Sequence, residues 1–241
     1  MRYAIFADIH ANLEALEAVL AAYKKESVDK YFCVGDVVGY AANPNECLEK
    51  FSEINPVCVA GNHDWASVGL LSLDYFNRYA KEAISWTVGN LKDKAVSFLK
   101  TLQLVYKNED LTLVHGTLSS PQDFDYMIGN EIASRSFGLL ETDVCFVGHT
   151  HTPGIFIQSK DQVRYAYTEK IVMAQGHKYI VNVGSVGQPR DSDYRASYCL
   201  YDTENREIII KRVDYDKALA RSKIIEAGLP RFLGDRLLVG H

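Results

Sequence analysis

The 241-residue chain lacks several things, and each absence closes off a class of protein. No run of eighteen or more apolar residues occurs, and Met1-Arg2-Tyr3-Ala4 leads into a strand-like segment rather than a charged leader with an apolar region and cleavage site. A soluble, cytoplasmic protein with no membrane partner is expected. CxxC pairs are missing. The five cysteines, Cys33, Cys47, Cys58, Cys145 and Cys199, are odd in number and read as buried free thiols in a reducing compartment. There is no Lys/Arg stripe either: the net charge is −5 and the pI near 5.8, which argues against general nucleic-acid binding and weakens a nuclease reading. No internal repeat, low-complexity tract or linker breaks the chain, so one domain over 1–241 is expected, and 47% hydrophobic content is ample for its core.

What is present begins with Tyr31-Phe32-Cys33-Val34-Gly35-Asp36, an apolar run ending in a glycine and a carboxylate. Such a run reads as a parallel strand covered on both faces, with Asp36 at its tip, where α/β sheets bind ligands. Upstream, Arg2 to Ala7 reads as a strand delivering Asp8-Ile9-His10. Asn12 then caps a helix whose Leu13, Leu16 and Leu20 share a face. Side chains alternate along a strand, so Asp8 and His10 are expected to point the same way, where one metal could take both; alone, the triplet is more often a capping or surface pattern. Asn43-Pro44 opens a second helix carrying Cys47, Leu48 and Phe51, and Pro56 to Ala60 reads as a third strand ending in Gly61-Asn62-His63-Asp64. By itself that tetrapeptide reads equally as an Asn-rich turn with a surface histidine and as a functional cluster.

From Trp65 to Leu102 the pattern is mostly helical, with Phe76, Tyr79, Ala83 and Trp86 as a core-facing stripe and a break at Gly89-Asn90. Residues 65–73 and 117–130 are candidate lid or substrate loops. Strands ending in His115-Gly116 and Gly148-His149-Thr150-His151 follow, and two histidines one residue apart at a strand end are hard to explain as packing. After Pro153, shorter alternating runs suggest a second, antiparallel or mixed sheet packed on the first. Gly184 to Arg190 interrupts them as a glycine-rich turn. Asp216 to Ala227 reads as the final helix, stopped by Gly228 and Pro230.

In order and context, Asp8-x-His10, Gly35-Asp36, Gly61-Asn62-His63-Asp64, His115 and Gly148-His149-x-His151 resemble the calcineurin-like metallophosphoesterase family. Gly184 to Asp191 and the tail around Gly228-Leu229-Pro230 resemble its bacterial and archaeal predicted-phosphodiesterase branch. Five of the seven histidines lie inside these motifs; only His177 and His241 fall outside, so independent bland explanations do not all hold at once. The resemblance implies an α/β fold of four-layer α/β/β/α type, with two mixed sheets face to face and helices outside. It implies two divalent ions, one held by Asp8, His10, Asp36 and His151, the other by Asp36, Asn62, His115 and His149. Manganese is the first expectation, with Fe, Zn, Ni or Co also compatible with the oxygen and imidazole donors. A water bridging two such ions becomes a hydroxide able to attack phosphorus in line, and the ions' own charge lets an acidic protein bind phosphate.

By the same resemblance His63 is the general acid for the leaving oxygen, Asp64 orients its ring, and Asn62 also touches the phosphate. Arg190, on the glycine-rich turn, is the candidate for a further phosphate contact; the alternative is a surface pair with Asp191 or Asp193. The expected function is hydrolysis of phosphodiesters, on a small, nucleotide-like phosphorylated substrate. Within the family the alternatives are a phosphomonoester or phosphoprotein phosphatase and a dinucleoside polyphosphate hydrolase. A different class, a metal-site scaffold that catalyses nothing, is opposed by the completeness of the ligand set. Oligomeric state stays open.

Overall fold

A computed structural model of the chain describes residues 1–160 and 162–241. The first half runs β1 (Arg2–Phe6), α1 (Leu13–Tyr23), β2 (Lys30–Cys33), α2 (Pro44–Ile54), β3 (Val57–Cys58), α3 (Asn62–Ser67), α4 (Arg78–Asn90) and α5 (Asp93–Leu99). Then come β4 (Val105–Lys107), β5 (Thr112–Val114), α6 (Asn130–Leu139), β6 (Val144–Val147), β7 (Gly154–Ser159), β8 (Gln162–Ala166), β9 (Lys170–Val172), β10 (His177–Asn182), β11 (Ala196–Asp202) and β12 (Glu207–Val213). The chain closes with α7 (Lys217–Glu226) and α8 (Arg231–Asp235). Local chemistry sets several of these ends. The Asn12 side chain accepts from Ala15 N at the start of α1, Pro44 occupies the first turn of α2, and Asp216 accepts from Leu219 N to cap α7.

Two six-stranded mixed sheets result, in the orders β3-β2-β1-β11-β12-β9 and β4-β5-β6-β10-β7-β8. β1 pairs in parallel with β2 but antiparallel with β11, while β10 pairs in parallel with β6 and antiparallel with β7. Alternation along β1 divides its side chains between two cores. Tyr3 and Ile5 join Phe32, Leu113, Phe146, Tyr179, Val181 and Tyr201 between the sheets. Ala4 and Phe6 instead face Leu16, Val19, Tyr23 and Phe51 on α1 and α2. On the far side, Val147, Phe156 and Ile180 pack on Ala133 and Phe137 of α6. Helix, sheet, sheet and helix thus lie in four layers, as the resemblance implies.

Several local readings are corrected. The strands after Pro153 do not form a sheet of their own: β7, β8 and β10 complete the second sheet and β9, β11 and β12 complete the first. Alternation reports which faces are buried and carries no information about neighbours. The glycine-rich stretch Gly184 to Arg190 is the crossover from β10 in one sheet to β11 in the other. Gly61-Asn62-His63-Asp64 is the start of α3 rather than a turn. The buried face of α4 is Ala80, Ala83, Ile84 and Thr87, whereas Phe76 precedes the helix and Tyr79 is exposed and stacked on Phe232. The helix after Asp216 is not the last, because Leu233 and Leu237 give α8 and the turn after it their own place in the core. Among the described residues no helix is long and apolar enough to cross a membrane.

Candidate metal centre

Asp8 and His10 lie beyond the end of β1, and Asp36 lies three residues past β2. Asp8, His10, Asp36, His149 and His151 all adopt left-handed backbone conformations, with φ of 55°, 49°, 55°, 68° and 60°. Each such residue costs about 1–2 kcal/mol, which the surroundings must offset. Backbone bonds do so: Asp8 N donates to Gly35 O, His10 N to Asp36 O, and Gly148 N to His115 O, each at 3.0 Å. Asp8 and His10 therefore converge through a turn and not through strand alternation, which corrects the geometry expected for them. Two glycines are required by close approach. A Cβ on Gly61 would lie 2.0 Å from Asp36 Oδ1, and one on Gly148 would lie 2.7 Å from Asp8 Oδ2.

Four turns and the start of α3 bring the motif residues into three overlapping groups able to hold a cation: Asp8, His10 and His151; His10, Asp36 and His63; Asp36, His115 and His149. Asp36 belongs to two of them. Its Oδ2 lies 3.6 Å from His10 Nε2 and 3.3 Å from His115 Nε2, and Asp8 Oδ1 lies 3.4 Å from His151 Nε2. Asp8, His10, Asp36, His115 and His151 are at most 2% exposed. Asn62 is buried beside them, and Asp36 Oδ1 accepts from the His63 amide at 2.9 Å.

The donor chemistry fits cations. His10 Nδ1, His115 Nδ1 and His151 Nδ1 meet the carbonyl oxygens of Val38, Val34 and Gln188 at 3.2, 2.6 and 2.6 Å, and a carbonyl only accepts. Each of these nitrogens therefore carries a proton, leaving Nε2 as a lone pair in the neutral ring. His10 Nε2 and His151 Nε2 then face each other at 3.0 Å, lone pair to lone pair. Such a contact is repulsive unless a cation is shared, and 3.0 Å is the edge of a coordination shell with bonds of about 2.1 Å. Asp36 Oδ2, Asn62 Oδ1 and His115 Nε2 are buried without a hydrogen-bond partner.

In the protein alone, burial holds His10, His149 and His151 well below the usual imidazole pKa, the form that binds metals. Burial raises the Asp8 carboxyl to about 7 against the pull of His115. At His115 burial disfavours the proton, but the carboxylates of Asp36 and Asp8 outweigh it and raise the ring to about 10. Burial likewise works to raise Asp36, and His115 and His63 reverse it, keeping the carboxylate charged. Bound cations would take over from this one imidazolium the balancing of the carboxylates' charge.

The remaining expected residues divide. The His63 ring lies 4.7 Å from that of His10 and 4.4 Å from Tyr40, with its Nδ1 unpartnered. Asp64 does not orient that ring: its two oxygens accept from the amides of Asp36, Val37, Val38 and Gly61 at 2.8 to 3.2 Å. It is thus a brace for the Asp36 turn, because a residue at the first turn of α3 faces backbone amides there and not its neighbour's side chain. Arg190 turns inward. It bonds Gln188 Oε1 at 2.9 Å and lies over the Tyr40 ring, whereas Asp191 and Asp193 pair with Arg212 and Arg195. Of the two candidate loops, 65–73 comprises the end of α3, the stretch that follows and the start of a 3-10 turn at Leu73–Tyr75; 117–130 sets Tyr126 flat on His149 at 4.2 Å and Phe124 near His115.

Motif reading passed over the residues that hold the site from behind. Ser185 Oγ donates to Asp8 O at 2.8 Å, Asn12 Nδ2 to Gly187 O at 2.8 Å, and Asn182 Nδ2 to Gly148 O at 2.7 Å. For Asn182 and Ser185 the only signal was a polar side chain beside Gly184, and Asn12 showed itself only as a helix cap.

A family model, the calcineurin-like phosphoesterase superfamily domain, matches residues 1–206. An uncharacterized protein of Methanocaldococcus jannaschii is 41% identical over 243 residues, covering 99% of this chain and 98% of its own. The crystal structure of a metallophosphoesterase from Sphaerobacter thermophilus is 39% identical with a TM-score of 0.88, over 100% of this chain and 99% of that one. A hypothetical protein from Pyrococcus horikoshii OT3, 20% identical, shares the fold with a TM-score of 0.80 over 100% and 98%. On a match of that extent and relatives of that identity, the chain belongs to the calcineurin-like phosphoesterase superfamily.

Proposed function

We propose that this protein hydrolyses phosphodiesters of small nucleotides or related compounds, using two divalent ions of which Mn²⁺ is the first choice. Asp8, His10, Asp36 and His151 would hold one ion, and Asp36, Asn62, His115 and His149 the other. The observation that carries the reading is the apposition of His10 Nε2 and His151 Nε2 at 3.0 Å with both opposite nitrogens bound to carbonyls. Bound ions of this kind supply Lewis-acid activation of water and of the phosphoryl group.

The chain's own residues do the rest. Asp36 is held rigid by the His63 amide and its turn by Asp64, so the shared carboxylate needs no reorganisation. Asn62 Oδ1, buried without a partner, would complete the second ion's set. Burial lowers the His63 ring to about 4 in the protein alone, and the negative charge of a bound phosphoester favours its imidazolium. Its Nδ1 is buried against Gly39 without a partner, so the other ring nitrogen, Nε2, is the one that would meet the leaving oxygen. Beside Arg190, a cavity of about 560 Å³ lined by Tyr126, Ile128, Phe156 and Tyr165 offers an apolar wall for the organic part of a nucleotide.

The test is hydrolysis of bis-p-nitrophenyl phosphate beside p-nitrophenyl phosphate by metal-stripped protein resupplied with Mn²⁺, with Asp36→Asn as control. Metal-dependent diester cleavage lost in the variant is expected. A strong preference for the monoester would move the assignment to a phosphatase, and silence on both with metal bound would leave a scaffold. His63→Ala should slow alkoxide-like leaving groups far more than nitrophenolate; equal slowing removes the acid role.

A further inference from the structure

A phosphodiester carries two alcohols, and the site has two unlike ends to receive them. At one end the rings of His10, Tyr40 and Phe76 surround His63, with centroids 4.7, 4.4 and 5.2 Å away. At the other, Tyr126 lies flat on His149 at 4.2 Å. His10 and His149 belong to different candidate cation groups, so the two aromatic neighbourhoods stand over different halves of the centre. None of the rings around His63 lines the cavity of about 560 Å³, which opens instead beside Tyr126.

Three residues of that cavity tie it to the ligands. Tyr126 covers His149, Thr150 stands between His149 and His151, and Arg190 bonds the side chain of Gln188, whose backbone carbonyl holds His151 Nδ1. Arg190 also reaches Tyr40 Oη at 3.4 Å, and so bridges the two ends. The wall is aromatic and fixed in advance. Tyr126 and Tyr165 are 47% and 48% exposed, yet neither is loose. Tyr126 is stacked on His149; the Tyr165 ring packs on Phe156 at 4.9 Å, and its hydroxyl donates to Pro153 O at 3.4 Å. Tyr165 lies so close over Gly154 that a Cβ there would come within 2.0 Å of the hydroxyl oxygen. Exposed rings already held in place lose little freedom on binding, and they suit the flat face of a nucleobase.

We propose that the cavity walled by Tyr126 and Tyr165 takes the base of the alcohol that stays on phosphorus, so that the protein selects diesters by the half it keeps and releases that half as a nucleoside monophosphate. Hydrolysis breaks the P–O bond to one alcohol, which takes a proton and leaves, while the oxygen of water joins phosphorus and the second alcohol remains esterified. The leaving alcohol has to stand at His63, whose ring neighbours lie outside the cavity. The alcohol in the cavity is therefore the other one. The inference rests on the phosphodiesterase reading above and adds to it which P–O bond breaks and which residues choose.

Thymidine 5′-(methyl phosphate) tests the polarity, because its two alkoxides are similar leaving groups. Mn²⁺-loaded protein should give thymidine 5′-phosphate and methanol over thymidine and methyl phosphate by at least about 10 to 1, read by phosphorus NMR. An even or reversed ratio would overturn the proposal. With nitrophenolate as common leaving group, thymidine 5′-(p-nitrophenyl phosphate) should exceed methyl p-nitrophenyl phosphate in kcat/KM by at least about 10-fold, carried by KM. Tyr165→Ala should reduce that advantage to within about 2-fold, and Tyr165→Phe, which keeps the ring, should retain it. An equal loss on both esters in Tyr165→Ala would mean a merely structural tyrosine and would sink the assignment. Calorimetry of thymidine 5′-phosphate against methyl phosphate keeps the two readings apart. Tighter, Tyr165-dependent binding of the nucleotide without cleavage of any diester would uphold the aromatic subsite while removing the phosphodiesterase reading, and equal binding would remove the subsite whatever the activity.

Discussion

Asp64 is where a single side chain has most to do with the geometry of the site without touching it. One carboxylate accepts from four amides, three of them in the Asp36 turn, and burial with the nearby Asp36 charge raises it to about 7 against those same bonds. Asp64→Ala leaves those N–H groups without an acceptor. A loss of about 3 kcal/mol in guanidine unfolding is expected, with Mn²⁺ affinity down 10- to 100-fold by calorimetry. An unchanged affinity would show that the turn holds itself. The sequence placed Asp64 in the right motif but gave it the wrong neighbour, because a helix start turns successive side chains by about 100° and adjacent residues do not face each other. The histidines and Asp36 were legible for the opposite reason: their types are chosen by metal chemistry, which tolerates few substitutes.

At the level of elements, a glycine pressed against the site and one that merely sits in a helix behave oppositely. Gly61→Ala drives a methyl into Asp36 Oδ1 and the Asp36 amide, so metal-dependent hydrolysis should fall by at least about 100-fold, read as kcat/KM. Gly89, in the last turn of α4, has nothing within 4 Å of an added Cβ and an ordinary backbone conformation. Gly89→Ala should therefore stabilise by about 0.5–1 kcal/mol, seen as a Tm roughly 1–4 °C higher with activity intact. Elements with clear caps, such as α1 behind Asn12 and α7 behind Asp216, could be read from sequence. β9 and β4, three half-exposed residues each, could not, since they carry no buried apolar run, whereas β5, equally short, is buried throughout. Nor could the allocation of late strands to two sheets, which depends on partners up to 200 residues away.

The whole molecule should report on its metals and thiols. Because the candidate ligands are buried and set two carboxylates around a single imidazolium, adding Mn²⁺ to the stripped protein at about 100 times its Kd should stabilise it by about 2.7 kcal/mol, a Tm rise of roughly 5–10 °C. No rise would mean the ions do not bind the folded state. Cys33, Cys47, Cys145 and Cys199 are buried and Cys58 partly so, and burial pushes the Cys47, Cys145 and Cys199 thiols up. A thiol reagent should find less than one reactive group in the native protein and five in denaturant; two or more fast native thiols would contradict the packing.

The interleaving of the sheets has a consequence for the order in which the centre can come into being. By His151 every candidate ligand has been synthesised, but β10, which lies between β6 and β7, and β11, which flanks β1, are still to come. So are Ser185, which holds the Asp8 carbonyl, and Gln188, which holds the His151 ring. At about 10 residues per second a ribosome needs several more seconds to supply them. During that interval the nascent chain carries a complete set of donors and no cage, free to take whichever ion binds loose imidazoles and carboxylates most tightly. Any selection among metals, on this topology, has to act after release of the finished chain, when the walls close and geometry rather than raw affinity decides what stays.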